Sequence, residues 1–290
     1  MLPESPQLLA LASAFFSAIA TLFIQRGLER SNFYAGFWIN VMVGVVGLWT
    51  AVFVLIPPAS FDWRALPYFV FSGVAGTAAG RFFRVASIDK VGGPVASAIG
   101  NLAPLVATGL AVALLGERVT FAILAGTLVI VAGTVLLSMS GKHVGFPARY
   151  LVYPFMAAWC FGMVQVVRKM GLSDTGPLFD AAINITAAMV ASTAFVAASG
   201  KLRLLRCDRG SFGYFAVGGA CENFGVLLVI VALGFGDVSV VSPLSATAPL
   251  FVLLLALLFP SGTKKLGWRV ALGTALIVLG VALLTALKTT

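Results

Sequence analysis

Apolar stretches long enough to cross a lipid bilayer follow one another along this 290-residue chain. We count about ten of them, at 8–25, 34–56, 65–86, 94–115, 120–140, 150–167, 177–199, 212–233, 239–259 and 267–287. A transmembrane helix needs about 20 mainly apolar residues, and the alternating ten-residue segments typical of a membrane β-barrel are not seen here. With 60% hydrophobic and only 10% charged residues, the sequence predicts an all-α polytopic membrane protein with ten transmembrane helices.

The last apolar stretch of the first half of the chain recurs in the second half. Residues 126–137 read GTLVIVAGTVLL, and residues 273–284 read GTALIVLGVALL. Pro104 and Pro249 each stand within Ala-Pro-Leu, 145 residues apart. These two matches indicate a duplicated unit of about half the chain.

A third match, nearer the start of each half, places the same polar residue in two helices. Asn40 stands thirteen residues after Gly27-Leu28, and Asn184 stands thirteen residues after Gly171-Leu172. Five crossings in each half turn the second copy upside down relative to the first. Transporters built from inverted repeats hold their substrate at the repeat interface. We therefore predict two inverted five-helix repeats, 1–145 and 146–290, around a central cavity.

Basic residues lie mainly in the loops that follow the odd-numbered spans, and we call this side of the membrane the basic face. It holds Arg26, Arg30, Lys90, Lys142, Arg149, Lys201, Arg203, Arg206, Arg209, Lys264, Lys265 and Arg269. The opposite face holds Arg64, Arg118, Arg168, Lys169 and Lys288. Because positive loops remain in the cytoplasm, this count places both termini outside. In this setting the net charge of +9 sets membrane topology, so no nucleic-acid partner is expected.

Three segments of the first half carry a resemblance to a known family: Ala103-Pro104-Leu105, Leu115-Gly116-Glu117-Arg118 and the helix with Gly126 and Gly133, with a fainter copy at 248–280. In these segments the chain resembles the drug/metabolite transporter superfamily, in particular ten-helix proteins with two EamA-type repeats. The resemblance implies export or exchange of small organic metabolites by alternating access. It also implies cytoplasmic termini, which contradicts the charge count, and we follow the resemblance.

The sequence departs from the family pattern at three places. Asn40 and Asn184 stand where members commonly have arginine, and 261–263, Ser-Gly-Thr, replaces Gly-Glu-Arg in the second copy. Arg81 and Arg84 lie outside the general pattern. These differences argue against transferring the substrate of any one member to this chain.

Glu222 lies near the middle of the eighth span, where a charge costs about 2.5–3.5 kcal/mol on insertion scales. We expect it to bind a proton or a substrate ammonium in the central cavity; the alternative is an ion pair that locks helices together. The eighth helix is the copy of the third, so Arg81 is expected to face Glu222 and to pair with it or with a substrate anion. Arg84, about one turn nearer the surface, could reach the membrane interface instead.

Asn40 and Asn184 could bind substrate or hydrogen-bond across helices, and the second role is the commoner one in membranes. Asp180 lies one turn before Asn184, close to the start of its span, so we expect it at a solvated helix end.

Pro104 and Pro249 are expected to kink the fourth and ninth helices and to free a carbonyl near the cavity. Polar residues a turn or two upstream could join each kink in a substrate site: Ser97, Asn101, Ser242 and Ser245. Trp159, in the middle of the sixth helix, could wall the cavity or serve ordinary packing.

No catalytic constellation, metal-ligand spacing or P-loop occurs in the sequence, so we expect neither an enzyme nor a cofactor. The single histidine, His143, has no acid or cysteine companion. We expect a secondary transporter in a bacterial inner membrane that exports a small polar solute, amino-acid-like or carboxylate-bearing, with proton coupling through Glu222. An uncoupled facilitator or channel of the same fold is the alternative. The chain could act as a monomer or a homodimer.

Overall fold

A computed structural model describes residues 5–57, 63–138, 147–172, 176–200, 202–258 and 268–286. Seven of the ten membrane helices are continuous, and the other three contain π-helical turns or breaks. The ten helices are α1 (Pro6–Leu28), α2 (Phe33–Leu55), α3 (66–91), α4 (93–115), α5 (Phe121–Ser138), α6 (Val152–Met170), α7 (Pro177–Ala198), α8 (Arg209–Phe235), α9 (238–258) and α10 (Trp268–Ala286). The predicted repeat boundary at 145 lies outside the described residues.

Three of these helices are composite. Helix α3 joins Leu66–Phe71, the π-helical Ser72–Gly80 and Arg81–Val91. Helix α4 joins Gly93–Gly100, Ala103–Leu110 and the π-helical Ala111–Leu115, and α9 joins Val238–Ser245 and Ala248–Leu258. Wide π-helical turns inside helices are frequent at functional sites, and the one in α3 leads directly into Arg81.

Eight helices in the described part of the chain are long and apolar enough to cross a membrane, and Phe121–Leu137 is a shorter apolar helix. The remaining one of the ten helices is α3, and it carries Arg81 and Arg84 near its middle. It continues to Val91, five residues beyond the predicted end of the third span, so only Gly92 separates it from α4. Gly92 has a φ of 82°, a left-handed conformation that glycine adopts without a steric penalty.

Helix packing follows the duplication seen in the sequence. Helix α1 packs along α8 as α6 packs along α3, and α2 packs on α8 as α7 packs on α3. Helix α4 likewise packs on α6 as α9 packs on α1. Two helices pack against their own copies: α5 packs against α10, and α2 packs against α7. This pattern is the one expected of two inverted repeats related by a two-fold axis.

The duplicated glycine motif forms the crossing of α5 and α10. A methyl group on Gly133 would lie 2.7 Å from the carbonyl oxygen of Gly273, and one on Gly280 would lie 2.8 Å from that of Gly126. Small residues let transmembrane backbones approach closely, and packing is what drives helix association in lipid. The same glycines that revealed the repeat therefore hold its two copies together.

Helices α2 and α7 are joined by two tryptophan hydrogen bonds. The indole N–H of Trp38 donates to Thr193 Oγ1 at 3.2 Å, and that of Trp49 donates to Thr186 Oγ1 at 2.8 Å. A buried indole usually finds such a partner. These bonds fix how the two helices lie along each other, and hence the depths of the asparagines that they carry.

Two apolar clusters form the interior. One lies between α1, α5, α8 and α9 and includes Leu9, Ile130 and Leu233. The other lies between α2, α3 and α7 and includes Phe69 and Phe179. Polar groups of the candidate site lie among these helices, so they are held by closely packed walls.

Two predictions about charged residues are wrong. Arg168 was counted with the loops of the opposite face, but α6 continues to Met170 and the arginine is only 7% exposed. Asp180 was expected at a solvated helix end, but it is fully buried in the first turn of α7. Arg168 lies beyond the apolar stretch that ends at 167 and Asp180 lies at the start of the stretch 177–199, but packing of neighbouring helices buries both.

Candidate functional site

The carboxylate of Glu222 lies at mid-length in α8 and is bound through both of its oxygens. Oε1 accepts a hydrogen bond from Arg81 Nη2 at 2.5 Å, and Oε2 accepts one from Asn40 Nδ2 at 2.6 Å. The side chains of Arg81 and Glu222 are 15% and 24% exposed. Three helices, α2, α3 and α8, therefore converge on one ion pair that remains partly exposed.

Arg81 is held by more than its salt bridge. Its Nη1 donates to Asn40 Oδ1 at 3.4 Å, and its guanidinium lies 5.3 Å from the centre of the Phe37 ring. Gly80, the preceding residue, brings α3 against Cys160 and Phe161 of α6. A planar guanidinium between a carboxylate and an aromatic ring has its orientation fixed on two sides.

Asn223 fixes the backbone behind this ion pair. Its Nδ2 donates to the carbonyls of Gly219 at 2.7 Å and Asn40 at 3.0 Å. A methyl group on Gly44 would meet the Asn223 amide at 2.6 Å, and one on Gly219 would meet Asn40 Cα at 2.8 Å. Asn223 was not predicted from the sequence, although an amide directly after an intramembrane acid is a usable signal.

Arg84 lies one turn further along α3 and differs from Arg81 in its surroundings. Its side chain is exposed, and both Glu222 and Arg81 act on it electrostatically. It therefore adds positive charge beside the ion pair, rather than only reaching the interface as the sequence suggested.

Asn184 forms the counterpart of the Asn40 cluster on the opposite face. Its Oδ1 accepts hydrogen bonds from Ser72 Oγ at 2.7 Å and Arg168 Nη2 at 3.4 Å, and its Nδ2 donates to Thr77 Oγ1 at 3.4 Å. Arg168 Nε also donates to Ser72 Oγ at 2.9 Å. All four side chains are at most 7% exposed, so this layer is closed whereas the Glu222 layer is partly open.

The two clusters correspond through the repeat. Gly73 lies against the backbone of Asn184 as Gly219 lies against that of Asn40. Thr77 and Asn223 are equivalent at an offset of 146, and each is hydrogen-bonded to the repeated asparagine. At the place of Arg168 the first repeat has Ile24, 144 residues earlier. Thus each repeat supplies a neutral polar frame, and the charged groups added to each frame differ.

Helices α4 and α9 are broken at equivalent places. In α4, Asn101 N–H donates to the Ser97 carbonyl and Leu102 N–H donates to the Ile99 carbonyl. In α9, 145 residues later, the N–H groups of Ala246 and Thr247 donate to the carbonyls of Ser242 and Leu244. The prediction of kinked helices is thereby corrected, because Pro104 and Pro249 each occupy the second position of a new helix. The lost N–H of proline is not needed there.

Polar residues at the two breaks differ in what they offer. Asn101 is half-buried at the junction itself. Ser245 Oγ donates to the Ser242 carbonyl at 2.9 Å, and the Ser242 side chain is buried. A methyl group on Gly162 of α6 would lie 2.7 Å from the Ala103 carbonyl, so the break in α4 packs closely on α6.

Trp159 is 49% exposed on α6. It adjoins Cys160 and Phe161, which contact Gly80 beside Arg81. Trp159 therefore lies at about the depth of the ion pair. Among the described residues, none forms a hydrogen bond or ring contact with the Trp159 side chain.

The carboxylate of Glu117 caps the N-terminus of α9. Gly116 ends α4 with a φ of 67°, and this turn brings the next side chain to the start of α9. There Glu117 Oε1 accepts from Val238 N at 2.7 Å and Oε2 from Ser239 N at 3.0 Å. A carboxylate at a helix N-terminus is stabilised by the free N–H groups and the helix dipole.

Lys169 caps the helix that precedes the same turn. Its Nζ donates to the carbonyls of Leu233 at 2.5 Å and Gly236 at 2.9 Å, at the end of α8. The turn between α8 and α9 is therefore held by an acid from the α4–α5 loop and a base from α6. The basic face differs in sequence, since Gln25 occupies the place of Lys169 and 259–267 contains no acid.

The model of the EamA-like transporter family matches residues 5–139 and 149–286, that is, both halves of the chain. The chain belongs to the EamA-like transporter family. It is therefore a multi-pass membrane transporter of the drug/metabolite transporter superfamily, which points to a non-enzymatic role. Among the described residues of this EamA-like transporter, no group of three or more His, Cys, Asp or Glu side chains could hold a metal ion.

A solved structure whose title reads only "Crystal structure of protein" is similar to this EamA-like transporter with a TM-score of 0.77. The sequences are 20% identical, and the match covers 97% of this chain and 96% of the other. At that identity the similarity concerns the fold alone. No curated protein matches the sequence of this EamA-like transporter.

Proposed function

We propose that this EamA-like transporter is a secondary transporter for a small polar solute with an amine and a carboxylate, an amino acid being the simplest case. The observation that carries the proposal is the Arg81–Glu222 pair, which lies at mid-membrane and is 15% and 24% exposed. A zwitterion could replace each partner, with its carboxylate on Arg81 and its ammonium on Glu222. Asn40, bound to both side chains, would keep them in place during the exchange.

Alternating access is the second part of the proposal. The Glu222 layer is partly open and the Asn184 layer is closed, as expected of a carrier that faces one side at a time. The breaks beside Pro104 and Pro249, with Asn101, Ser242 and Ser245 around them, are suited to act as hinges. Trp159 would form part of the wall beside them. The proposed repeats, 1–145 and 146–290, would move against each other.

Proton coupling rests on Glu222. Protonation would remove the charge that holds Arg81, so proton uptake and solute release could compete for one carboxylate. Export and cytoplasmic termini are proposed from the family resemblance. A bacterial inner membrane and a monomeric or homodimeric state are further parts of the proposal.

An uncoupled facilitator is the second candidate. It is favoured by the complete pairing of the Glu222 carboxylate, both of whose oxygens are hydrogen-bonded. In that case the ion pair would only lock α3 to α8, and the solute would bind elsewhere along the path.

Proteoliposomes that contain a pH-sensitive dye distinguish the two candidates. Amino acids, dicarboxylates, nucleobases and quaternary amines are added in turn to wild type, Glu222→Gln and Glu222→Asp. Proton movement with amino acids that is lost in Glu222→Gln and partly kept in Glu222→Asp is the expected result. Solute flux without protons, equal in all three proteins, would establish the facilitator. A lack of flux with every solute class would refute transport of these solutes.

A further inference from the structure

A bowl of about 640 Å³ lies on the basic face, where the α1–α2 and α7–α8 loops meet. Its walls include Glu29, Arg30, Ser31, Asn32, Arg206 and Asp208. These residues come from the ends of α1, α2 and α8, so the bowl lies at the level where lipid headgroups meet the protein. The bowl is shallow and open to its surroundings.

Phe215 closes the protein beneath the bowl. Its side chain is fully buried, and a methyl group on Gly27 or Gly36 would lie 2.5 or 2.7 Å from its ring. Helices α1, α2 and α8 are therefore in close contact around this ring, two helical turns from Glu222.

Several polar groups of the bowl have binding capacity left. In the described part of the chain, no carboxylate lies within ion-pair distance of Arg30 or Arg206. The Ser31 hydroxyl oxygen is buried and has no hydrogen-bond partner there. An unpaired buried hydroxyl is destabilising, so a ligand that hydrogen-bonds to it would be stabilised.

The charges of the bowl have both signs. Glu29 is 4.0 Å from Arg26 with both side chains largely exposed, a weak pair, and Asp208 Oδ2 accepts the Ser211 N–H at 3.0 Å. Two guanidinium groups fit a phosphate, since their forked donors match its oxygens. The two carboxylates beside them fit an ammonium and disfavour a ligand with net negative charge.

We propose that this bowl binds the headgroup of a phospholipid with a primary ammonium, of the phosphoethanolamine type. The phosphate binds Arg30, Arg206 and the Ser31 hydroxyl, and the ammonium binds Glu29 and Asp208. The lipid bridges the α1–α2 and α7–α8 loops, and thereby one loop from each repeat. The proposal does not depend on which solute is transported.

Binding is tested on purified protein in detergent by titration with phosphatidylethanolamine, phosphatidylcholine, phosphatidylglycerol or inorganic phosphate, with thermal unfolding as the readout. We expect phosphatidylethanolamine to raise Tm at lower concentration than the other three. The Arg30→Gln/Arg206→Gln double variant should weaken its apparent affinity by about tenfold or more, the equivalent of one charge-assisted hydrogen bond. The matched control, Arg64→Gln/Arg118→Gln on the opposite face, should titrate like wild type.

Equal effects of phosphatidylglycerol would overturn the role of the carboxylates, and equal effects of phosphatidylcholine would overturn that of the primary ammonium. A response reproduced by inorganic phosphate would identify a free-phosphate site instead. If the double variant unfolds too readily, the milder Ser31→Ala replaces it. Unchanged affinity in Ser31→Ala and in Arg30→Gln would place the lipid elsewhere on the protein.

Discussion

Gly133 of α5 and Gly273 of α10 lie against each other, so that a methyl group on either would reach the carbonyl oxygen of the other at 2.7 or 2.9 Å. Helices α5 and α10 are copies of one another. Each carries the motif Gly-x6-Gly, formed by Gly126 and Gly133 in α5 and by Gly273 and Gly280 in α10. The crossing leaves no room for a side chain on either helix.

Gly133→Val should therefore lower the free energy of unfolding by about 1–3 kcal/mol, the usual cost of overpacking. Gly47→Ala in α2 is the matched control, because a methyl group there meets nothing within 4 Å and alanine favours the helix by up to about 1 kcal/mol. Denaturant unfolding in detergent compares the two variants. Equal stability of Gly133→Val and wild type would show that α5 and α10 can separate without loss.

Arg81→Leu should cost about 3 kcal/mol of stability, the lower end of the range for breaking a buried ion pair, because Glu222 keeps its charge and loses its cation. The double variant Arg81→Leu/Glu222→Leu should recover most of this loss, since no charge remains unpaired. A double-mutant cycle by thermal unfolding measures the coupling. Additive losses would mean that solvent, rather than Arg81, stabilises the Glu222 carboxylate.

Glu117→Ala should destabilise the protein by about 1–2 kcal/mol, because two N–H groups at the start of α9 lose their acceptor. Arg118→Ala, an exposed neighbour in the same loop, is the control and should be nearly neutral. Hydrogen exchange at Val238 and Ser239 gives a local readout. Unchanged protection of these two amides in Glu117→Ala would rule out the cap.

Arg168→Ile places in the second repeat the residue that the first repeat has at this position. Ser72 would still donate to Asn184, and Asn184 to Thr77, so no buried polar group should lose its last partner. We expect a stability within about 1 kcal/mol of wild type or above it, because replacing buried charges by apolar residues is often neutral or stabilising. If transport nevertheless falls in the proteoliposome assay, Arg168 acts in the transport cycle. A loss of several kcal/mol would contradict the stability prediction.

Protonation of the Asp208 carboxylate should make the protein less stable in acid. The backbone N–H and hydroxyl of Ser211 hydrogen-bond to this carboxylate and hold its pKa below the ordinary value. A depressed pKa in the folded state contributes stability above the unfolded pKa of about 3.9, and the contribution is lost as pH falls through the folded pKa. Asp208→Asn keeps the cap but cannot titrate.

The stability difference between wild type and Asp208→Asn should therefore be constant above about pH 5 and should change below about pH 4. Thermal unfolding across this range measures it. Parallel profiles down to about pH 2 would show that the Ser211 hydrogen bonds do not act on this carboxylate.

The sequence predicted much of this fold, because hydrophobic length and internal repetition are local properties of a chain. It also placed Arg81 opposite Glu222, since duplication makes α3 and α8 equivalent. It did not predict Arg168 in the interior, because the apolar stretch ends at 167 whereas the helix does not. The caps by Glu117 and Lys169 join residues far apart in the chain, and such contacts leave no periodic signal.

The helix breaks illustrate another limit. A proline inside an apolar stretch is compatible with a kink or with a new helix start, and only the backbone hydrogen bonds around Asn101 and Ala246 distinguish them. The bowl on the basic face was equally unforeseen, since its residues are ordinary loop residues until two loops meet.

The charged caps at the turn between α8 and α9 have no equivalent residues in the sequence of the basic face, and this has a consequence for energetics. Under the alternating access proposed above, such an imbalance would give the two resting orientations unequal free energies, and each 1.4 kcal/mol of difference would change their ratio about tenfold. In that case the binding-competent state would be more populated on one side of the membrane, so the half-saturating concentration of the solute would differ between the two sides. Net direction still depends on the gradients. Measured from both sides, the two concentrations should approach each other in Glu117→Gln, and an unchanged ratio would dissociate the caps from the resting orientation.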